Sequence, residues 1–262
     1  RSSLFKGLWG GGAKPHGLYK PQFLIYRPLN LKIKERGKKM SRRERRLQRE
    51  REKKKEISIP VRFLMLFLGL CIMSFGIAFS VKSNLGTSPI SSIPYAFSLI
   101  TPMSMGVATI VINGVIILLQ VVILRKEFHP FQLMQIPVVV VFGYLIDFAS
   151  WTIESIEYSS YFGQWVICIV GIIFVGIGVA CEVVSQVTTL PGEGLAIAIC
   201  KKFKFKFSAM KICVDVSLVV IACVLGLVFL QKIEGVREGT LAAAIFVGIV
   251  AKFVVKILKK NE

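Results

Sequence analysis

Apolar runs near twenty residues long recur six times beyond Ile57, at about 61–82, 105–125, 132–153, 164–184, 209–230 and 239–258. Each is long enough, as a helix rising ~1.5 Å per residue, to cross a hydrocarbon core of ~30 Å. Two polar, Gly/Pro-broken stretches interrupt the pattern. One is Asn84-Leu85-Gly86-Thr87-Ser88-Pro89-Ile90-Ser91-Ser92-Ile93-Pro94, between the first and second runs, and the other is 186–194, between the fourth and fifth. Short apolar pieces follow them at 95–100 and 195–200, too short to span. Backbone groups freed by Gly and Pro cannot face lipid unpaired, because each would cost several kcal/mol there, so both stretches are expected against protein or a wet cavity. Pro89 and Pro191 suit the first turn of a short helix, with Thr87 or Ser88, and Thr188 or Thr189, as its cap.

The two stretches are in register. A shift of 102 residues, the separation of Pro89 and Pro191, also lays Gly69 on Gly171, Gly76 on Gly178, Ala78 on Ala180, Ser83 on Ser185, Thr87 on Thr189 and Asn113 on Asp215. Three spans per copy send the second copy into the bilayer from the opposite side. The expected architecture is an all-α membrane protein of six transmembrane helices, built as two inverted three-helix repeats, 57–160 and 161–262, with short broken or re-entrant segments.

Composition agrees: 54% of residues are hydrophobic and the mean hydropathy is +0.65, above the range of ordinary soluble domains. Charge then orients the chain. Of the formal net charge of +19, roughly +14 precedes Ile57, and the remaining basic residues cluster at the ends of apolar runs. This is the positive-inside pattern with both termini cytoplasmic, and it does not suggest nucleic acid as a partner. Residues 1–56 read as a basic, disordered extension. It is either drawn to anionic lipid headgroups or serves only to orient the chain. Met40, followed by Ser41-Arg42-Arg43, reads as an alternative native start.

Chemistry narrows the function classes. The six cysteines stand singly in or beside apolar runs and the two histidines, His16 and His129, lie outside them, so neither metal nor other cofactor is expected. Gly-x-x-x-x-Gly-Lys-Ser/Thr, Gly-x-Ser-x-Gly, His-Glu-x-x-His and Gly-x-Gly-Asp patterns are lacking. The chain is therefore not expected to be an enzyme, and any use of ATP falls to a partner ATPase.

Polar residues inside apolar runs are costly and mark candidate sites. Thr87, Ser88, Ser91 and Thr189 can line a solute site or merely cap the broken turns. Glu193, between Gly192 and Gly194, can meet a solute amine or a proton, or sit in cytoplasmic water. Asn113 and Asp215 correspond across the copies, Asp215 having Lys211 four residues before it as a structural alternative. Asp147 and Glu182 complete the candidate set. Lys252, opposite Asp147 across the copies, reads as a headgroup anchor. Gly69 with Gly76, and Gly171 with Gly178, lie two turns apart on one helix face, as close helix packing requires.

Leu85-Gly86-Thr87-Ser88-Pro89, Asn113-Gly114, the segment from Gly143 to Asp147 and Arg237-Glu238-Gly239-Thr240 together resemble the bacterial YczE/YyaS/YitT-type multi-pass membrane proteins over about residues 60–258. The resemblance implies a bacterial plasma-membrane protein and supplies no substrate. From the residues themselves, the leading expectation is a secondary permease for a small polar solute. The alternative is a non-transporting capture subunit of an ATP-driven importer. The expected partners are the lipid bilayer, that solute, and either a second copy of the chain or an ATPase.

Overall fold

The computed structural model describes residues 58–158, 160–232 and 235–260; the basic extension and Met40 lie outside them. Among the described residues every regular element is helical. In chain order they are α1 (Ile59–Lys82), α2 (Pro89–Ile100), α3 (Met105–Leu124), α4 (Gln135–Thr152), α5 (Tyr161–Ser185), α6 (Pro191–Phe203), α7 (Phe207–Leu225) and α8 (Glu238–Lys260). A 3-10 turn, Pro130–Met134, leads into α4, and a π turn, Gly226–Leu230, extends α7. Six of the helices, with these extensions, are long and apolar enough to cross a membrane, whereas α2 and α6 are the short pieces after the broken stretches. Both short helices begin at their proline, where the missing N–H removes no intrahelical bond.

The centre of the bundle is the antiparallel pair α1 and α5, brought together by glycine. A Cβ built on Gly69 would lie 3.1 Å from the Gly178 carbonyl, and one on Gly76 would lie 2.9 Å from the Gly171 carbonyl. Lipid tails are as apolar as leucine, so hydrophobicity gives these helices no reason to associate; dense backbone contact does. Met73 and Val175 flank the two glycine crossings, and Leu66, Leu70, Ile77, Phe142, Ile146, Val187 and Leu190 complete the core around them.

The 102-residue register recurs in backbone detail. Asn84 and Gln186 both take left-handed conformations, with φ of 55° and 53°, just after α1 and α5. Ser83 Oγ donates to the Ser80 carbonyl and Ser185 Oγ to the Glu182 carbonyl, each at 2.7 Å. Leu85 N–H and Val187 N–H then donate to those two hydroxyls. Further out, α2 packs on α7 as α6 packs on α3. The correspondence lapses at one place: α3 packs closely on α4, but α7 forms no comparable seam with α8.

Candidate functional site

The capping expected at the broken stretches is corrected by the geometry. The N-cap residues are Ser88 and Leu190, and neither side chain caps its helix. The Ser88 hydroxyl is engaged instead with Ser91 Oγ at 2.8 Å. At the second stretch Leu190 has no polar side chain, and its N–H donates to Glu182 Oε1 at 2.7 Å. A carboxylate from the preceding helix thus braces the start of α6. Its counterpart in the first copy, Ser80, bonds back to the Gly76 carbonyl and reaches no helix start.

The starts of α2 and α6 meet, because Ile90 rests on Gly192; any side chain at Gly192 would collide with it. Beside this junction lies a cavity of about 410 Å³. Its lining includes Asn113, the ninth residue of α3, and Val175, the fifteenth of the 25 residues of α5, which places it at the middle of the spans. Met73, Ile77, Phe142, Val175 and Val179 give it apolar walls. Ser88, Ser91, Thr109 and Asn113 supply neutral polar groups, and Glu182, Glu193, Asp215, Lys211 and Lys252 supply charge. Both α7 and α8 contribute to the lining, so the cavity occupies the place where their seam would be.

Six of the nine candidate residues therefore share one cavity: Ser88, Ser91, Asn113, Glu182, Glu193 and Asp215. Asp215 also forms the expected ion pair with Lys211, at 2.7 Å and half-buried. Thr87, Thr189 and Asp147 do not line it. Thr87 is fully buried and its N–H donates to the Gly235 carbonyl at 3.1 Å. Thr189 is buried in the turn before α6. Asp147 accepts from Ser104 Oγ at 2.6 Å and from Gly106 N–H at 2.7 Å, so it ties α4 to the first turn of α3. Charge-assisted bonds of this kind contribute about 1.5–3 kcal/mol when buried and less when half-exposed. Asp147→Ala is expected to lower stability by roughly 1–2 kcal/mol without changing what the cavity binds, as unfolding and ligand titration of the same variant would show. Lys252, read from the sequence as an anchor, faces the cavity and is exposed at its edge. The charged groups that share the cavity with it stand on α5, α6 and α7, far from it in sequence, which hid that placement.

Hydrogen bonds tie neighbouring elements together at both ends of the bundle. At one end Arg237 Nη1 donates to the Asn84 carbonyl at 3.0 Å and Gly239 N–H to the Leu85 carbonyl at 2.9 Å; Lys82 reaches the Glu154 carbonyl. At the other, fully buried Gln120 donates to Gln135 Oε1 at 3.2 Å and to the Pro191 carbonyl at 3.0 Å, and Lys201 donates to the Glu127 carbonyl.

Comparison with known proteins finds distant relatives. An uncharacterized protein of Haemophilus influenzae is 22% identical over 196 residues, covering 75% of this chain and 84% of its own. The uncharacterized protein YyaS of Bacillus subtilis is 23% identical over 140 residues, covering 53% of this chain and 68% of its own. No solved structure matches. The model of a "Family of unknown function (DUF6198)" matches residues 60–256, which takes in all but the outermost residues of the six spanning helices and both broken stretches, and the chain belongs to that YyaS-like family of multi-pass membrane proteins.

Proposed function

We propose that this protein is a small secondary permease that moves a polar solute by alternating access, and not an enzyme. The observation that carries the reading is the mid-span cavity of about 410 Å³, walled by residues of both copies where the two short helices abut. Three things support the two copies as an inverted pair rocking about it: the antiparallel α1–α5 seam, the backbone bonds that recur 102 residues apart, and the matched packing of α2 on α7 and α6 on α3. The lapse between α7 and α8 then represents the open side of one access state. With Lys201, Lys202, Lys204 and Lys206 in the cytoplasm, as the positive-inside rule orients them, both termini are cytoplasmic in the plasma membrane.

Flux in proteoliposomes tests the proposal. Vesicles holding the full chain are expected to exchange a solute pool, such as a labelled bacterial metabolite extract, faster than protein-free vesicles. Asp215→Asn combined with Glu193→Gln is expected to slow that exchange at least tenfold, the scale of losing about 1.4 kcal/mol of binding. Exchange no faster than in empty vesicles would defeat the permease reading. A capture subunit would bind the solute and show no flux.

A further inference from the structure

The charges of the cavity are unequally satisfied. Asp215 and Lys211 satisfy each other at 2.7 Å. Glu182, 2% exposed, has no ion pair among the described residues, and its one hydrogen bond, from Leu190 N–H, engages Oε1 only. Among the described residues no sealed buried side-chain oxygen or nitrogen lacks a hydrogen-bond partner, and Glu182 lines the cavity, so its second oxygen, Oε2, meets that space. Asn113, 6% exposed, repeats the arrangement: its Nδ2 donates to the Thr109 carbonyl at 2.9 Å, and its Oδ1 receives no bond. Glu193 also lines this space, and the lining holds three carboxylates against two lysines. The unfilled capacity of these two buried groups is thus acceptor capacity.

A buried carboxylate needs a compensating donor or cation. A bare metal ion is a poor candidate. Hard cations take six or more oxygen ligands, and the described residues hold no cluster of three metal-ligating side chains. The apolar walls formed by Met73, Ile77, Phe142 and Val175 instead suit a hydrocarbon body. An ammonium presents three donors, no acceptor and a positive charge, which suits a carboxylate with one oxygen unbonded. Resting on the permease reading for its setting, we infer that the solute is a small organic amine whose ammonium group binds Glu182 Oε2, with its carbon chain against the apolar walls.

Thermal unfolding of the full chain in detergent, at constant ionic strength, tests this with four matched probes: n-butylammonium, 1,4-diaminobutane, butyrate and 1-butanol. The two amines are expected to raise the unfolding temperature saturably, on the order of 2–4 °C for a chain of this size; butyrate and butanol are not. Glu182→Gln keeps an oxygen for Leu190 N–H, so it is expected to fold and to lose the amine shift. The inference is overturned by equal shifts from all four probes, by an amine shift that survives Glu182→Gln, or by no amine shift at any concentration. It is also overturned if Glu182 holds only a proton, in which case Glu182→Gln changes the pH dependence of unfolding while amines have no effect. Binding without exchange in vesicles would remove the permease reading and leave the amine site. Exchange of a solute with no amino group, together with absent amine binding, would do the reverse.

Discussion

Gly76→Val is expected to destabilise the fold by roughly 3 kcal/mol, the upper end of what overpacking costs. The added Cβ would lie 2.6 Å from the Val175 amide nitrogen and 2.9 Å from the Gly171 carbonyl oxygen. Neither neighbour is a flexible side chain that can turn away. Relief requires α1 and α5 to separate, which also pulls apart the reciprocal contact of Gly69 with Gly178 and loosens the core built around Met73 and Val175. Valine loses side-chain freedom on a helix as well, adding to the cost. Reversible unfolding in mixed micelles measures the effect, and Gly114→Ala is the control. Nothing lies within 4 Å of a Cβ at Gly114, so that change is expected to be neutral or to stabilise by about 0.5–1 kcal/mol. If the two variants unfolded alike, the glycine seam would not be what joins the two halves.

The second large effect is expected at Gly86. Its φ of +103° is closed to residues with a side chain, and an added Cβ would press on Thr240 Oγ1 and lie 2.8 Å from the Arg237 amide nitrogen. Strain of this kind costs about 1–3 kcal/mol, and it falls on the contact between residues 84–87 and 235–240. Gly86→Ala is expected to weaken that contact by about 2 kcal/mol, which is a thirtyfold change in a local opening equilibrium. The amides of Thr87 and Gly239, which donate to the Gly235 and Leu85 carbonyls, should then exchange with deuterium about thirty times faster. Amides in the α1–α5 seam should not change. Equal acceleration everywhere would mean global unfolding, and unchanged exchange would mean that the contact is not held by this glycine.

The six spans and two interruptions were legible because each rests on a local property, either apolar length or the presence of Gly and Pro. The helix starts at Pro89 and Pro191 and the use of Gly69, Gly76, Gly171 and Gly178 in packing follow from the same kind of information. Membership of the cavity was only partly legible. Thr87 and Ser88 are neighbours of similar character, yet one is turned toward residues 235–240 and the other lines the cavity, a choice made by a contact about 150 residues away in sequence. Asp147 has the composition of a pathway residue, but the two donors it meets, Ser104 and Gly106, are visible only once α3 and α4 are side by side. The capping role of Glu182 was hidden for a related reason, since an eight-residue return through a left-handed Gln186 brings Leu190 back to it.

At its crossings the seam between α1 and α5 seats Met73 on Gly178 and Val175 on Gly76, so that each glycine leaves a shallow hole for the side chain opposite. Such a joint resists being pulled apart, since dispersion acts over its whole length, and shallow holes oppose a twist less than deep ones would. Under the proposed permease reading, a change of access would therefore pivot on α1 and α5 as an axle, and lubricity along that line, rather than the strength of any bolt at the rim, would govern how fast it turns.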